Sequence, residues 1–269
     1  MNRVFITGAS SGIGAALARE YAAKGATLGL LARRRGALDA LVASLPNGAS
    51  HKVYAVDVLD HAALAGACAD FIACTGGADI VIANAGVSQG TLTEYAQDVA
   101  VFDTIFATNV SATVATFAPF IDSMKAQGVQ GARGCRGSHA CAPTLVGIAS
   151  VAGIRGLPGA GAYSASKAAV LSYCESLRVE MKPHGIRVVT LAPGYIDTPM
   201  TQGNPYPMPF LMPAARFAEK AAGAIASGAS YRVIPWQMGV VAKLLRALPN
   251  PLYDLAFTRA PRKPRGGAP

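Results

Sequence analysis

Charge is scarce in this chain: only 14% of its 269 residues are Asp, Glu, Lys or Arg, against 52% that are hydrophobic. Such a composition excludes a solvated, disordered polymer and leaves enough apolar surface for one well-buried domain. The length is short for two domains, so a single one is expected over residues 1–258. Long apolar runs are missing too, because 29 Gly and 17 Pro interrupt them, and none is expected to span a membrane. A strand pattern follows Met1 directly, leaving no leader, and the expected location is cytoplasmic. Carboxylates are few, 15 against 24 Lys and Arg, for a net charge of +9. That excess does not form a nucleic-acid face: Arg259, Arg262, Lys263 and Arg265 sit together in a Pro/Gly-rich stretch, 259–269, read as a disordered, solvated tail. Paired cysteine is lacking, since five scattered residues (Cys68, Cys74, Cys135, Cys141 and Cys174) are odd in number and read as reduced thiols.

What is present is an alternation of short apolar strand candidates with helical patterns. The strands fall at 3–7, 26–32, 52–57, 79–83, 144–150, 186–192 and 231–235. Continuous runs such as Ile80-Val81-Ile82-Ala83 and Val188-Val189-Thr190-Leu191-Ala192 suit strands covered on both faces. They predict an α/β protein with a doubly wound parallel sheet, whose ligands bind at the carboxyl ends of the strands.

Two motifs carry chemistry. The first strand runs into Thr7-Gly8-Ala9-Ser10-Ser11-Gly12-Ile13-Gly14 and then a helix candidate, an arrangement that presents backbone N–H donors and a helix N-terminus to a phosphate. Farther on, Tyr163-Ser164-Ala165-Ser166-Lys167 places a phenol and an ammonium on one helical face, where the cation can favour the ionised phenol. Asp57, Asn84-Ala85-Gly86, Asn109, Ser150 and Pro193-Gly194 follow the same order along the chain as in a known family. The sequence thus resembles the short-chain dehydrogenases/reductases from about Val4 to Trp236.

The resemblance implies a seven-stranded Rossmann-type sheet in the order 3-2-1-4-5-6-7. It also implies roles for individual residues. Tyr163 is the general acid/base, and Lys167 lowers its pKa and holds the nicotinamide ribose. Ser150 binds the substrate oxygen, and Asn109 anchors a proton-relaying water. Gly8, Ser10, Ser11, Gly12, Ile13 and Gly14 cradle the pyrophosphate, Asp57 and Val58 flank the adenine, and Asn84, Ala85 and Gly86 pass the cofactor ribose. Pro193, Gly194, Ile196 and Thr198 fix the carboxamide. Cofactor choice is read from Ala32-Arg33-Arg34-Arg35: no acidic side chain ends the second strand, and Arg33 and Arg34 can pair a ribose phosphate, so NADP(H) is preferred with NAD(H) possible.

Leu157, Tyr195, Met200, Met208, Phe210, Leu211 and Met212 are expected to line or cover the substrate pocket, which favours a carbonyl or alcohol on an apolar body. A 3-oxoacyl thioester on a carrier protein is the alternative substrate, and a dinucleotide-sensing scaffold the non-enzyme alternative. A homodimer or homotetramer is expected, with Val110, Val114, Phe117, Ile121, Val170 and Leu177 at the interface. Three segments depart from the pattern. Residues 127–143 read as a surface insertion, and its Cys135-x-x-x-His139-x-Cys141 lacks a fourth ligand, so no metal is expected. Residues 198–213 read as a mobile loop over the substrate. Residues 236–257 contain a loosely amphipathic helix, its stripe Val241, Leu244, Leu245 and Leu248, expected to cover the pocket or meet a subunit, with contact to a membrane surface as the sharper alternative.

Overall fold

The computed structural model describes residues 2–134, 142–258 and 262–265 of the chain. Seven parallel strands form one sheet: β1 (Arg3–Thr7), β2 (Thr27–Ala32), β3 (Lys52–Ala55), β4 (Ile80–Ala83), β5 (Thr144–Ile148), β6 (Arg187–Pro193) and β9 (Tyr231–Ile234). Their order is β3-β2-β1-β4-β5-β6-β9, the order expected, with two short strands, β7 (Ile196–Asp197) and β8 (Met212–Pro213), intervening in sequence before the last. Helices α1 (Gly12–Ala23), α2 (Arg35–Ala43), α3 (His61–Thr75), α4 (Asp98–Phe106), α5 (Ala112–Phe117), α6 (Ile121–Gly134), α7 (Gly161–Met181), α8 (Pro199–Gln202), α9 (Ala214–Ala226), α10 (Trp236–Ala247) and α11 (Asn250–Phe257) complete the chain.

Strand alternation divides the core into two layers. Val4, Ile6, Ile80, Ile82, Val146 and Val189 face one side, with Leu17, Leu38 and Phe217 of α1, α2 and α9. Phe5, Val81, Leu145 and Val188 face the other, with Phe71, Phe117 and Val170 of α3, α5 and α7. Phe5 meets Phe71 and Phe120 at ring separations of 5.4 and 5.1 Å. Gly29 of β2 makes room for them, since a Cβ there would lie 2.6 Å from the Phe5 ring. Burial of each such ring stabilises the fold by roughly 1.5–3 kcal/mol.

Several expectations change here. The helix before β5 does not stop at the supposed insertion: α6 runs on to Gly134, so residues 127–134 belong to it. Gln127 fixes that helix to the start of β4, its Oε1 accepting from the Ala78 N–H and its Nε2 donating to Asp79 at 3.2 Å. Cys135, His139 and Cys141 lie outside the described residues. The helical run Asp98–Gly128 is, contrary to the reading of short apolar runs, 31 residues long and apolar enough by length and composition to cross a membrane. Here Ile105, Phe117, Phe120 and Met124 on it are core residues. Phe117, Val170 and Leu177 are likewise buried within the single chain and unavailable to a subunit interface. The outward apolar positions are Val99, Phe102 and Val114 on this run and Val179 on α7.

The 198–213 segment is tied at its base rather than free: β7 pairs with β8, and Thr198 caps α8 in a reciprocal arrangement with Thr201. The C-terminal helix buries Met238 and Ala242, one turn apart, whereas Leu244 of the expected stripe is 66% exposed. The stripe at Val241 and Leu245 is only partly buried because α10 lies on β9 and the loop after β5 instead of entering a deep core. Finally, Arg262–Arg265 does not behave as a solvated tail. Arg265 pairs bidentately with Asp98 at 2.8 and 3.0 Å, and the strongly shielded Asp98 carboxylate gives the contact its reason.

Candidate active site

The glycine turn is built by close approach of two strand ends. Gly8 stands at positive φ, and a Cβ on it would come within 2.8 Å of Ala85 Cα. Asn84 Nδ2 donates to the carbonyls of Thr7 and Gly8 at 3.0 and 3.2 Å, and the backbone N–H groups of Asn84 and Ala85 donate to Thr7 Oγ1. Asn84-Ala85-Gly86 therefore holds the turn open in one shape. Across a groove of about 500 Å³, Ser10, Ser11 and Gly12 face Thr198 and Gln202. At Gly12, also at positive φ, a Cβ would crowd Thr198 Cγ2 at 3.2 Å. Unobstructed N–H donors, two serine hydroxyls and a helix start on one side of a groove fit a pyrophosphate. Ile13 is half-buried behind them.

Arg33 and Arg34 both emerge from the end of β2. Arg34 Nη2 donates to Ser10 Oγ at 3.2 Å, so its guanidinium already reaches the turn. Arg33 stands 3.9 Å from Asp57, both largely exposed, and such a pair contributes little to stability. Arg35 turns away to Asp39 on its own helix. Asp57 accepts from the Leu59 N–H, while the cap of α3 is Asp60. Asp57 is thus free of the helix-cap role, and neighbouring Val58 is buried.

The catalytic candidates converge between the ends of β4 and β5. Asn109 sits in a π-turn, Ala107–Ser111, that interrupts the long helix, the kind of bulge often found at functional sites. Its amide is fully engaged: Oδ1 accepts from Val87 N–H at 2.8 Å, and Nδ2 donates to Val87 O and Ser166 Oγ. The side chain therefore fixes the segment after Gly86, and the backbone carbonyl of Asn109, which accepts from Thr113 Oγ1, keeps a second lone pair for a water. Lys167 is buried, its Nζ donating to the Ile148 carbonyl at 2.8 Å and lying 5.8 Å from the Tyr163 ring centre. Burial lowers the Lys167 pKa to about 8, with Cys174 opposing. The Tyr163 phenol is pushed above its ordinary range by burial, and the Ser150 hydroxyl pulls it partway back. Burial, rather than the charge of Lys167, is the governing effect on the phenol. Ser150 also accepts from the Ala152 N–H, which orients its hydroxyl.

Pro193 at the end of β6 and Ile196 at the start of β7 are buried, and Gly194 N–H donates to Ile234 O at 2.8 Å. Gly194 is needed by packing as well as by any ligand, since a Cβ would meet Met238 of α10 at 2.6 Å. Phe210, Leu211 and Met212 do not gather over Tyr163. They line a separate groove of about 660 Å³ with Arg216, Lys220, Arg232 and Trp236. Sequence reasoning missed Ser166, Thr201 and Arg155. Thr201 was legible as the third residue of a capping pattern after Thr198, but Arg155 was not, because its partners are 90 or more residues away. Its guanidinium donates to the carbonyls of Leu245 and Leu248 and to Asn250 and stacks on Tyr253, whose hydroxyl donates to Gly156 O. The C-terminal helices are thereby fastened to the loop between Ser150 and Tyr163.

Known proteins carry the same frame. An uncharacterized oxidoreductase of Myxococcus xanthus is 36% identical over 255 residues, covering 94% of this chain and 95% of its own. A short-chain dehydrogenase from Streptomyces avermitilis superposes with a TM-score of 0.76 at 25% identity, over 90% of this chain and 91% of that one. A 3-ketoacyl-(acyl-carrier-protein) reductase from Brucella melitensis, complexed with NADH, superposes with a TM-score of 0.75 at 25% identity, over 87% and 96%. The profile of the short chain dehydrogenases matches residues 2–206, and with the glycine turn, the π-turn at Asn109 and the Tyr163–Lys167 pair in place, this chain belongs to that family of NAD(P)-dependent oxidoreductases.

Proposed function

We propose that the protein interconverts a carbonyl and an alcohol on a largely apolar organic substrate, with NADP(H) as the preferred partner and Tyr163 as general acid/base. The observation that carries this reading is the burial of Lys167 beside Tyr163 and Ser150 at the mouth of the sheet. The bound dinucleotide supplies or accepts the hydride. In reduction, the phenol of Tyr163 gives its proton to the substrate oxygen, which Ser150 holds by its hydroxyl. Lys167 would hold the ribose hydroxyls of the bound dinucleotide and, with a water at the Asn109 backbone carbonyl, would return the proton to Tyr163. Thr198 and the backbone at Ile196 would hold the carboxamide end, while Arg34 beside Ser10 supports the choice of a 2′-phosphate.

Oxidation of NADPH with a panel of ketones, aldehydes and quinones tests the reading; no turnover with any of them, at concentrations where the cofactor is bound, would refute it. A 3-oxoacyl thioester on a carrier protein is the second reading. The likeness to the Brucella reductase supports it, as does the groove carrying Arg216, Lys220 and Arg232. Selective turnover of an acetoacetyl thioester, added to the panel, would favour it.

A further inference from the structure

The segment Arg262–Arg265 lies against the loops that follow β4 and β5, the two strands whose carboxyl ends carry the catalytic candidates. Its backbone is locked to the loop after Gly86, with the Gly90 N–H donating to Pro264 O at 3.2 Å. Gly90 and Gly159 both permit the approach: a Cβ on Gly159 would lie 2.8 Å from Arg262 Cβ, and one on Gly90 would strike the carbonyls of Lys263 and Pro264. Arg265 is neutralised by Asp98 and stacks on the Tyr95 ring at 3.5 Å. Asp98 in turn accepts from the Leu92 N–H, so the anchor belongs to the same loop.

Lys263 is different. Its Nζ donates to Ser88 Oγ at 2.7 Å, and no carboxylate lies in ion-pair range of it among the described residues. Ser88 is two residues beyond Gly86, where a Cβ would lie 3.5 Å from Lys167 Nζ, and the intervening Val87 is held by Asn109. Gly159, on which Arg262 rests, lies four residues before Tyr163, and its loop is joined to the one after Gly86 through Thr91, whose N–H donates to Gly159 O. A half-buried ammonium beside the loops that lead to Lys167 and Tyr163, given one hydroxyl and no counter-charge, is an incomplete ion pair.

We propose that Lys263 is a specificity-determining residue that receives a carboxylate carried on the substrate, with Asp98 and Arg265 acting as positioning residues for it. The proposal rests on the active-site reading above and narrows its substrate class to an apolar body bearing an acid group. Burial also lowers the Lys263 pKa, as expected of a cation awaiting its partner.

The test measures binding, so that it does not depend on turnover. Calorimetric titration of the full chain, cofactor-free and loaded with NADP⁺, would use three matched pairs: benzoate and benzamide, 4-phenylbutyrate and its amide, octanoate and its amide. At least one acid is expected to bind ten-fold or more tightly than its amide. Lys263→Gln should erase that preference while leaving amide affinity within about two-fold, Lys263→Arg should keep it, and Arg265→Gln should weaken it. Equal binding of acid and amide in every pair, a preference that survives Lys263→Gln, or no binding of any acid up to ~10 mM would overturn the proposal. Failure of the oxidoreductase reading would appear elsewhere, as absent NADPH oxidation across the carbonyl panel.

Discussion

Lys167 Nζ points its hydrogen bond at the Ile148 carbonyl, 2.8 Å away, while lying 5.8 Å from the centre of the Tyr163 ring. A buried cation whose partner is a neutral carbonyl is costly to the fold. Its pKa is lowered to about 8, below the ordinary lysine value of 10.5, so at neutral pH the folded state must hold a proton in an unfavourable place. The penalty is present in full below about pH 8 and is relieved as pH rises toward the unfolded value, because the unfolded chain then binds more protons than the folded one. At 1.36 kcal/mol per unit it amounts to about 3 kcal/mol. Lys167→Met should therefore stabilise the cofactor-free protein at pH 7 and abolish turnover. Denaturant midpoints of both proteins at pH 7 and pH 10 check this, and the gap between them should shrink at the higher pH.

Tyr163→Phe removes a hydroxyl and almost no packing surface. Turnover should fall by at least about 10²–10⁴, with dinucleotide affinity and thermal midpoint close to those of the parent. Retention of most of the activity would exclude the phenol as proton donor.

Replacing Arg33 and Arg34 together with Ala should weaken NADPH and spare NADH. Charge-assisted contacts of this kind contribute about 1.5–3 kcal/mol, so the ratio of the two affinities should move ten-fold or more. Because Arg34 already reaches Ser10, Arg34→Ala alone should account for the larger part. Equal losses for both cofactors would assign the arginines a structural role.

Arg155→Gln should loosen α10 and α11, since the planar guanidinium joins three partners and a ring that a glutamine cannot reproduce. The expected outcome is faster proteolysis within 236–257 and a fall in activity through the loop between Ser150 and Tyr163. For the same reason a chain ending at Pro235 should be insoluble or inactive. A soluble, active truncate that no longer sediments with anionic vesicles would instead favour the membrane-surface reading, to which exposed Trp236, Leu244, Leu252 and Leu255 would belong.

Self-association is expected through the outward face of the long helix and α7. Phe102→Glu with Val114→Glu should convert the assembly to monomers in analytical ultracentrifugation at micromolar concentration, without loss of the fold, because both positions are exposed in the single chain.

The seven strands, their parallel arrangement and the order of the motifs were legible because each is written locally, in runs of apolar residues and in glycines next to strand ends. The Tyr163–Lys167 pair was legible for the same reason, one helical turn being enough to define it. The sequence by itself also determined that Arg34 would stand at the end of β2. Only the tertiary structure decided what required partners distant in sequence. It turned Phe117, Val170 and Leu177 inward, where alternation alone could not distinguish a core face from a subunit face. It engaged Asn109 with Val87 and Ser166, fastened the C-terminal helices through Arg155, and laid Lys263 and Arg265 against Ser88 and Asp98. Those contacts join residues from 22 to 175 positions apart, and no local periodicity encodes them, because they arise only once the sheet has brought the strand ends together.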